Sequence, residues 1–321
     1  MTSTATAAPG APAADHDVVF DVRGITLRFG GVTSLDDVSL QMRRGEILAV
    51  IGPNGAGKTS LFNSLTGVYT PQEGQILLAA RPGATPVSVI GKKTHVVNQM
   101  GVARTFQNIR LFPALTALEN VKVGVETRQR RSGPVSSMLG LPWQRREERE
   151  STEAAYELLD RVGLAERANE LASALAYGEQ RRLEIARALG TQPGVILLDE
   201  PAAGTNPAEK RDLAALIQQI NDDGIGVLLI EHDMKLVMSV ADRIVVLNFG
   251  RRIAEGTPEQ IQRDPAVVAA YLGTSAEEAE EELATHDRPE LHTIDTTGGL
   301  GGAAAPAAPP AGATESGGEP A

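Results

Sequence analysis

The sequence predicts an α/β fold: a mostly parallel sheet covered by helices, with an antiparallel β portion ahead of it and a helical subdomain inserted into it. Three observations carry this expectation. Short all-apolar runs alternate with helix-compatible segments from Val195 to Ala254, as strands buried on both faces require. From about Ala114 to Gly190 the apolar residues instead recur at helical spacing. A glycine-rich turn, Gly52 to Gly57, separates a buried run from a helix-compatible one.

Residues 1–16 are rich in Ala, Thr and Pro and poor in large apolar side chains, so they are expected to be disordered. They lack a basic n-region and do not read as a secretory signal. Val18–Leu27 alternates loosely and Val38–Met42 clearly, as strands do. Arg43-Arg44-Gly45 turns into the buried strand Glu46–Ile51, and Gly74–Leu78 and Arg104–Phe106 are shorter strands. In the helical stretch, Ala155, Leu158, Leu159 and Val162 fall at i, i+3, i+4 and i+7, with Gly163 placed to cap the end. A second helix runs from Gly178 to Leu189 and is broken before Pro193. Val195–Leu198 is a strand, Pro207–Ile220 a helix with proline at its start, and Gly226–Ile230 a strand. Asp233–Val240 reads as a helix and Ile244–Leu247 as a strand, and Gly250 turns into Arg251–Ala254. The ordered domain is therefore 17–273, with a helical subdomain at about 108–190. Residues 274–321 form a disordered acidic tail, apart from a short helix near 276–283.

The 321 residues allow about two domains, or one large domain with appendages. Aromatic residues make up only 3%, so the core should be built from Leu, Ile, Val and Ala. There is no cysteine, which excludes disulfides and thiolate metal sites and suits a reducing compartment. No run approaches the roughly 20 apolar residues that span a bilayer. The tail holds ten acids against Arg288 alone, −9 of the total charge of −11. The rest is nearly balanced, and nothing in it argues for nucleic acid as a partner.

Gly52-Pro53-Asn54-Gly55-Ala56-Gly57-Lys58-Thr59 fits G-x-x-x-x-G-K-[ST] at every fixed position, between the apolar run Ile47–Ile51 and the helical run Ser60–Leu65. Such a loop wraps a polyphosphate, with successive N–H groups at the helix start, through Ser60, pointing at its oxygens. Lys58 would reach the β- and γ-phosphates and Thr59 would bind Mg²⁺, so the chain is expected to bind a nucleoside triphosphate. A second signal follows 140 residues beyond Thr59, where Val195-Ile196-Leu197-Leu198 ends in Asp199-Glu200. Asp199 is offered the Mg²⁺ that bridges the phosphates. Glu200 could deprotonate an attacking water, a contribution of about 10²–10⁴-fold. The plain alternative is a surface turn that happens to open with two acids.

With these motifs in place, the chain resembles the ATP-binding subunits of ATP-binding-cassette (ABC) transporters over nearly all of 18–273. Leu175-Ala176-Tyr177-Gly178-Glu179-Gln180 matches the family's signature motif, usually Leu-Ser-Gly-Gly-Gln. Gln107 in Arg104-Thr105-Phe106-Gln107-Asn108 matches the Q-loop glutamine, His232 in Ile230-Glu231-His232-Asp233 the switch histidine, and Phe29 the aromatic that stacks on adenine. The order and spacing of the set are specific; each motif alone is weak. The resemblance implies a P-loop NTPase core of the RecA-like kind, with ATP and Mg²⁺ as cofactors. It makes Glu200, His232 and Gln107 catalytic and gives Thr59, Gln107 and Asp199 to the metal. It adds Phe29, Tyr177, Gly178 and Glu179 to the nucleotide contacts. Stacking on Phe29 would be worth roughly 1–3 kcal/mol; a strand-end core phenylalanine is the plain alternative.

The resemblance further implies head-to-tail pairing with a second ABC ATPase, a copy or a paralogue, each ATP lying between one phosphate loop and the other signature. Two integral-membrane permeases would be driven from the cytoplasmic face of the membrane, with an extracytoplasmic solute-binding protein as an indirect partner. The apolar loop Ile109–Pro113 would receive a short permease helix. Arg128, Arg130, Arg131, Arg145 and Arg146 flank Met138–Trp143; a solvated basic loop is the favoured reading, with contact to anionic headgroups the alternative. Ala176, Tyr177 and Asn206 depart from the family's usual Ser, Gly and Asp. Leu175–Arg187, Glu200-Pro201-Ala202-Ala203-Gly204, Ile230–Met238 and Ala270–Gly273 are similar to the branched-chain amino-acid importer ATPases of the LivG type. An importer of amides, urea or another solute, and a soluble non-transport ABC ATPase, are the competing expectations.

Overall fold

The computed structural model describes residues 18–129 and 142–272, with the side chains of 128, 129 and 142–145 outside the description. The disordered ends, the tail helix and most of the basic loop expected above lie outside these residues. Two sheets share one core. The first is antiparallel and built from β1 (Val18–Phe29), β2 (Val32–Arg43), β4 (Glu73–Leu78) and β5 (Val87–Ser88), in the order β2-β1-β4-β5. The second has the order β10-β9-β3-β8-β7-β6, comprising β3 (Ile47–Ile51), β6 (Val102–Arg104), β7 (Val195–Asp199), β8 (Gly226–Ile230), β9 (Arg243–Asn248) and β10 (Arg251–Gly256). All its pairings are parallel except the β9–β10 hairpin. Every residue of β3, β7 and β8 is buried, which is why these strands read as unbroken apolar runs.

Between the sheets, Phe20, Ile25, Leu40 and Met42 meet Leu48, Val50, Leu197 and Leu228, with α1 (Lys58–Leu65) adding Leu61 and Phe62. The opposite face of the parallel sheet packs on α3 (Ala117–Gln129), α4 (Pro142–Arg161), α5 (Tyr177–Gly190) and α6 (Pro207–Asp222), through Val121, Leu159, Leu183 and Ile217. At the β9 side, α7 (Met234–Val240), α8 (Pro258–Gln262) and α9 (Pro265–Leu272) cover Ile51, Ile244 and Val246. A short helix, α2 (Thr94–Gln99), precedes β6. Among the described residues no helix is long and apolar enough to cross a membrane.

Boundaries differ from the sequence reading at identifiable places. β6 lies at Val102–Arg104, not Arg104–Phe106: its ladder with β7 ends as Thr105 N–H donates to the Leu197 carbonyl, and the next two carbonyls go to Arg181 instead. α4 begins 13 residues before Ala155. Its first half is charged and carries the i,i+4 pairs Arg146–Glu150 and Arg149–Glu153. β2 begins at Val32, six residues before the clear alternation. β5, α2, α8 and α9 went unread, all being eight residues or shorter.

Register decides what meets at the carboxyl edge of the parallel sheet. Val50 pairs with Ile230, and Ile230 with Asp199. Gly52, Glu200 and Glu231-His232 therefore leave their strands almost level, where an α/β sheet presents its ligand site.

Candidate active site

The turn after β3 is shaped by three glycines. Gly52, Gly55 and Gly57 have φ of 150°, 80° and 100°. A Cβ on Gly52 would lie 2.1 Å from the Leu247 carbonyl oxygen, and one on Gly57 would lie 2.6 Å from that of Ser34. Backbone conformation and space thus both demand glycine at those two positions. Gly57 caps α1 in the left-handed region, so the helix starts at Lys58 with its first amides at the loop. Lys58 Nζ donates to the carbonyls of Gly52 (2.6 Å) and Pro53 (3.0 Å), and Ala56 N–H donates to Pro53 as well. Burial lowers the Lys58 pKa, opposed by the nearby Glu200 and Asp199. Ser60 Oγ is 2.7 Å from Ser34 Oγ, tying α1 to β2. Asn54, Gly55 and Thr59 are exposed.

Glu200, Gln107 and His232 come together. Gln107 Nε2 donates to Glu200 Oε2 at 2.9 Å, and His232 Nδ1 lies 4.0 Å from the same oxygen. Glu200 adopts φ 47°, unusual for a residue with a side chain, while its N–H donates to the Ile230 carbonyl. Strain of this kind gathers at functional sites. Asp199, one residue back, is buried and accepts from Arg104 Nη2 at 2.8 Å. Burial raises the Asp199 pKa, and the Arg104 contact opposes that rise.

The other expected contacts are carried by β1 and α5. Phe29 ends β1 with 45% of its surface exposed, edge-on to Tyr69 at 4.9 Å between ring centres. It is therefore not the buried strand-end phenylalanine considered above. Ala176, Tyr177, Gly178 and Glu179 open α5. Ala176 has no hydroxyl to cap the helix, so only the reciprocal half of a capping box forms, Glu179 Oε2 accepting from Ala176 N–H at 2.9 Å. Within the chain, the Tyr177 ring and Gly178 face Gly204 and Glu209, at the start of α6.

Four further side chains hold the site together, and sequence reasoning did not find them. Arg104 spans Asp199, Asn63 (2.6 Å) and Thr66 (3.2 Å). Arg181 reaches the Phe106 and Gln107 carbonyls. Glu231, 0% exposed, accepts from Ala202 N–H at 2.7 Å and lies 3.8 Å from His232 Nδ1. Tyr271 of α9 meets the Gly52 backbone, and burial holds its phenol well above the usual range. A charged residue in a strand or helix gives no signal of burial on its own, and Tyr271 lies in a helix that went unread.

The loop Ile109–Pro113 folds back on the helical layer. Phe112 N–H donates to Asn120 Oδ1 at 2.9 Å and Leu111 packs on the core, while the Phe112 ring stays half exposed. A cavity of about 660 Å³ is lined by Thr66, His95, Val97, Arg104 and Phe106.

A strand–loop–helix cradle with a half-buried lysine, an acid pair at the end of β7 and exposed oxygen donors fits a triphosphate with a hard divalent cation. Comparisons agree. The family model described as "ABC transporter" matches residues 35–203, and one described as "Branched-chain amino acid ATP-binding cassette transporter" matches residues 251–277. The high-affinity branched-chain amino acid transport ATP-binding protein LivG of Salmonella typhimurium is 49% identical over 253 residues, covering 78% of this chain and 96% of its own length. The ADP conformation of MJ1267, an ATP-binding cassette of an ABC transporter, superposes with a TM-score of 0.68 at 31% identity, covering 80% of this chain and 99% of that one. The dimeric post-hydrolysis cassette MJ0796, bound to ADP and Pi, has a TM-score of 0.62 at 25% identity and covers 74% and 98%. The chain belongs to the ABC transporter family, as one of its branched-chain amino acid ATP-binding cassettes.

Proposed function

We propose that this chain is the ATP-hydrolysing subunit of a branched-chain amino-acid importer. It would work as a head-to-tail pair of cassettes beneath two permeases on the cytoplasmic face of the membrane, fed by an extracytoplasmic binding protein. The observation that carries the chemistry is the meeting of Gln107, Glu200 and His232 beside the Lys58 loop. The loop amides from Gly52 to Ser60 and the Lys58 ammonium bind the phosphates, and Phe29 offers its exposed face to the adenine. Glu200 accepts the proton of the attacking water. Gln107 fixes the Glu200 carboxylate through its amide, and His232 offers its ring to the γ-phosphate. Thr59, Asp199 and Gln107 would hold Mg²⁺, which neutralises charge on the phosphates when bound.

Pairing and solute are supported by the relatives. MJ0796 is a dimer, and LivG carries the branched-chain amino-acid name at 49% identity. Tyr177, Gly178 and Glu179 would meet the partner's ATP, and the apolar loop Ile109–Pro113 would seat the permease helix. Replacing Glu200 by Gln tests the central role. ATP turnover should fall about 10²–10⁴-fold, with nucleotide affinity kept within about threefold in a fluorescent-nucleotide titration. Turnover at the parent rate would move the base elsewhere.

A further inference from the structure

We propose that Arg181 is a positioning residue for hydrolysis that acts through Gln107, by fastening the segment carrying Gln107 to helix α5. The proposal rests on the role given to Gln107 above. Gln107 sits just beyond the end of β6, where the sheet ladder has stopped. Its backbone is held instead by α5. Arg181, 3% exposed, donates from Nη1 to the Phe106 carbonyl (2.5 Å) and from Nη2 to the Gln107 carbonyl and the Tyr177 hydroxyl (3.0 Å). One turn further on, Glu184, 1% exposed, accepts from Arg110 N–H at 3.2 Å and lies 3.5 Å from Arg181. Tyr177, Arg181 and Glu184 fall at i, i+4 and i+7, so one helical face grips Phe106, Gln107 and Arg110 together.

The same face reaches the turn after Glu200. A Cβ on Gly204 would lie 3.2 Å from the Tyr177 ring. The tyrosine that replaces the family's usual glycine therefore supports the clamp within its own chain. Burying an arginine and a glutamate is costly unless geometry repays it. Here the guanidinium fork bonds two successive carbonyls at once, which a lysine ammonium cannot reproduce with the same planar geometry. Gln107 Nε2 meets Glu200 only because its backbone is set at this height. Losing the fork frees the backbone, and the amide leaves the carboxylate.

The test is a double-mutant cycle on ATP turnover by the full-length chain, with KM for ATP and melting measured alongside. Arg181→Met is expected to lower kcat about tenfold with KM changed less than about twofold, and Arg181→Lys to recover part of the loss. In the Gln107→Ala background, Arg181→Met should lower kcat by less than about twofold more. A second full drop there overturns the proposal, because Arg181 would then act independently of Gln107. An unchanged kcat for Gln107→Ala alone removes the role given to Gln107, and this inference with it; the single variant identifies that failure. Amide exchange gives a reading independent of turnover. The Phe106–Arg110 amides should exchange at least about fivefold faster in Arg181→Met, with those of β7 and β8 unchanged. Equal protection at Phe106–Arg110 overturns the clamp. If Arg181→Met loses cooperative melting, Arg181→Lys and Glu184→Gln carry the same cycle and exchange measurement under the same two criteria.

Discussion

At the end of β8 the Glu231 carboxylate is wholly enclosed, accepting N–H bonds from Ala202 (2.7 Å), His232 (3.1 Å) and Asp233 (3.4 Å). Burial raises its pKa above the ordinary 4.5, with those amides and His232 opposing the rise. The native state therefore keeps this proton to higher pH than the unfolded chain does. The stability it contributes is fully present below about pH 4.5 and is lost as pH rises through the native pKa. Glu231→Gln keeps an oxygen for Ala202 and cannot ionise. The melting temperature of the parent, measured against this variant, should fall as pH is raised above about 4.5; parallel curves would count against the assignment. Lys58 gives a second residue-scale prediction. Lys58→Ala should weaken ATP binding at least about tenfold in a nucleotide titration, through loss of the phosphate contact and of the bonds to Gly52 and Pro53. Lys58, Asp199 and Glu200 stand out as candidates from a motif and a strand end, and His232 from the family resemblance. Glu231, Arg104 and Arg181 do not stand out in the sequence, because their importance comes from burial, which only packing confers.

Among the elements, α6 shows how a departure from family habit can carry a local role. Asn206, where an aspartate is usual, accepts from Ala208 N–H (2.9 Å) and Glu209 N–H (3.0 Å), and Glu209 Oε2 accepts in return from Asn206 N–H (2.8 Å). Pro207 opens the helix, so the N-terminus has a full capping box. Asn206→Ala should cost about 1 kcal/mol in denaturant unfolding, with an unchanged m-value. An aspartate here would cap as well, so Asn206→Asp should be near neutral for stability. Elements with caps or unbroken apolar runs were placed within a residue or two, as at β7, β8 and α6. The end of β6 was misplaced because side chains of another helix, rather than the next strand residue, take the carbonyls of Phe106 and Gln107. The start of α4 was missed because its charged first turns offer no apolar period to read.

For the molecule as a whole, the question is how the opening of α5 can serve a nucleotide. Its opening residues are set by Tyr177 against Arg181 and Gly204, Gly178 beside Glu209, and Glu179 with Ala176 and Arg167 (3.8 Å). In the proposed head-to-tail pair, the partner's nucleotide would meet the α5 amides. In the proposed cycle, such a pair would open after each turnover when Glu200 is intact. Glu200→Gln should trap it, so the variant with ATP is expected to sediment as a dimer, and with ADP as a monomer. Gly178→Ala, whose Cβ would lie 2.8 Å from Glu209 Oε1, crowds the helix start without touching the phosphate loop. In the Glu200→Gln background it should weaken the ATP dimer at least about tenfold while leaving monomer ATP affinity within about twofold. Loss of ATP affinity in the monomer would instead place α5 at its own chain's nucleotide, and a monomeric Glu200→Gln chain at saturating ATP would remove the pairing.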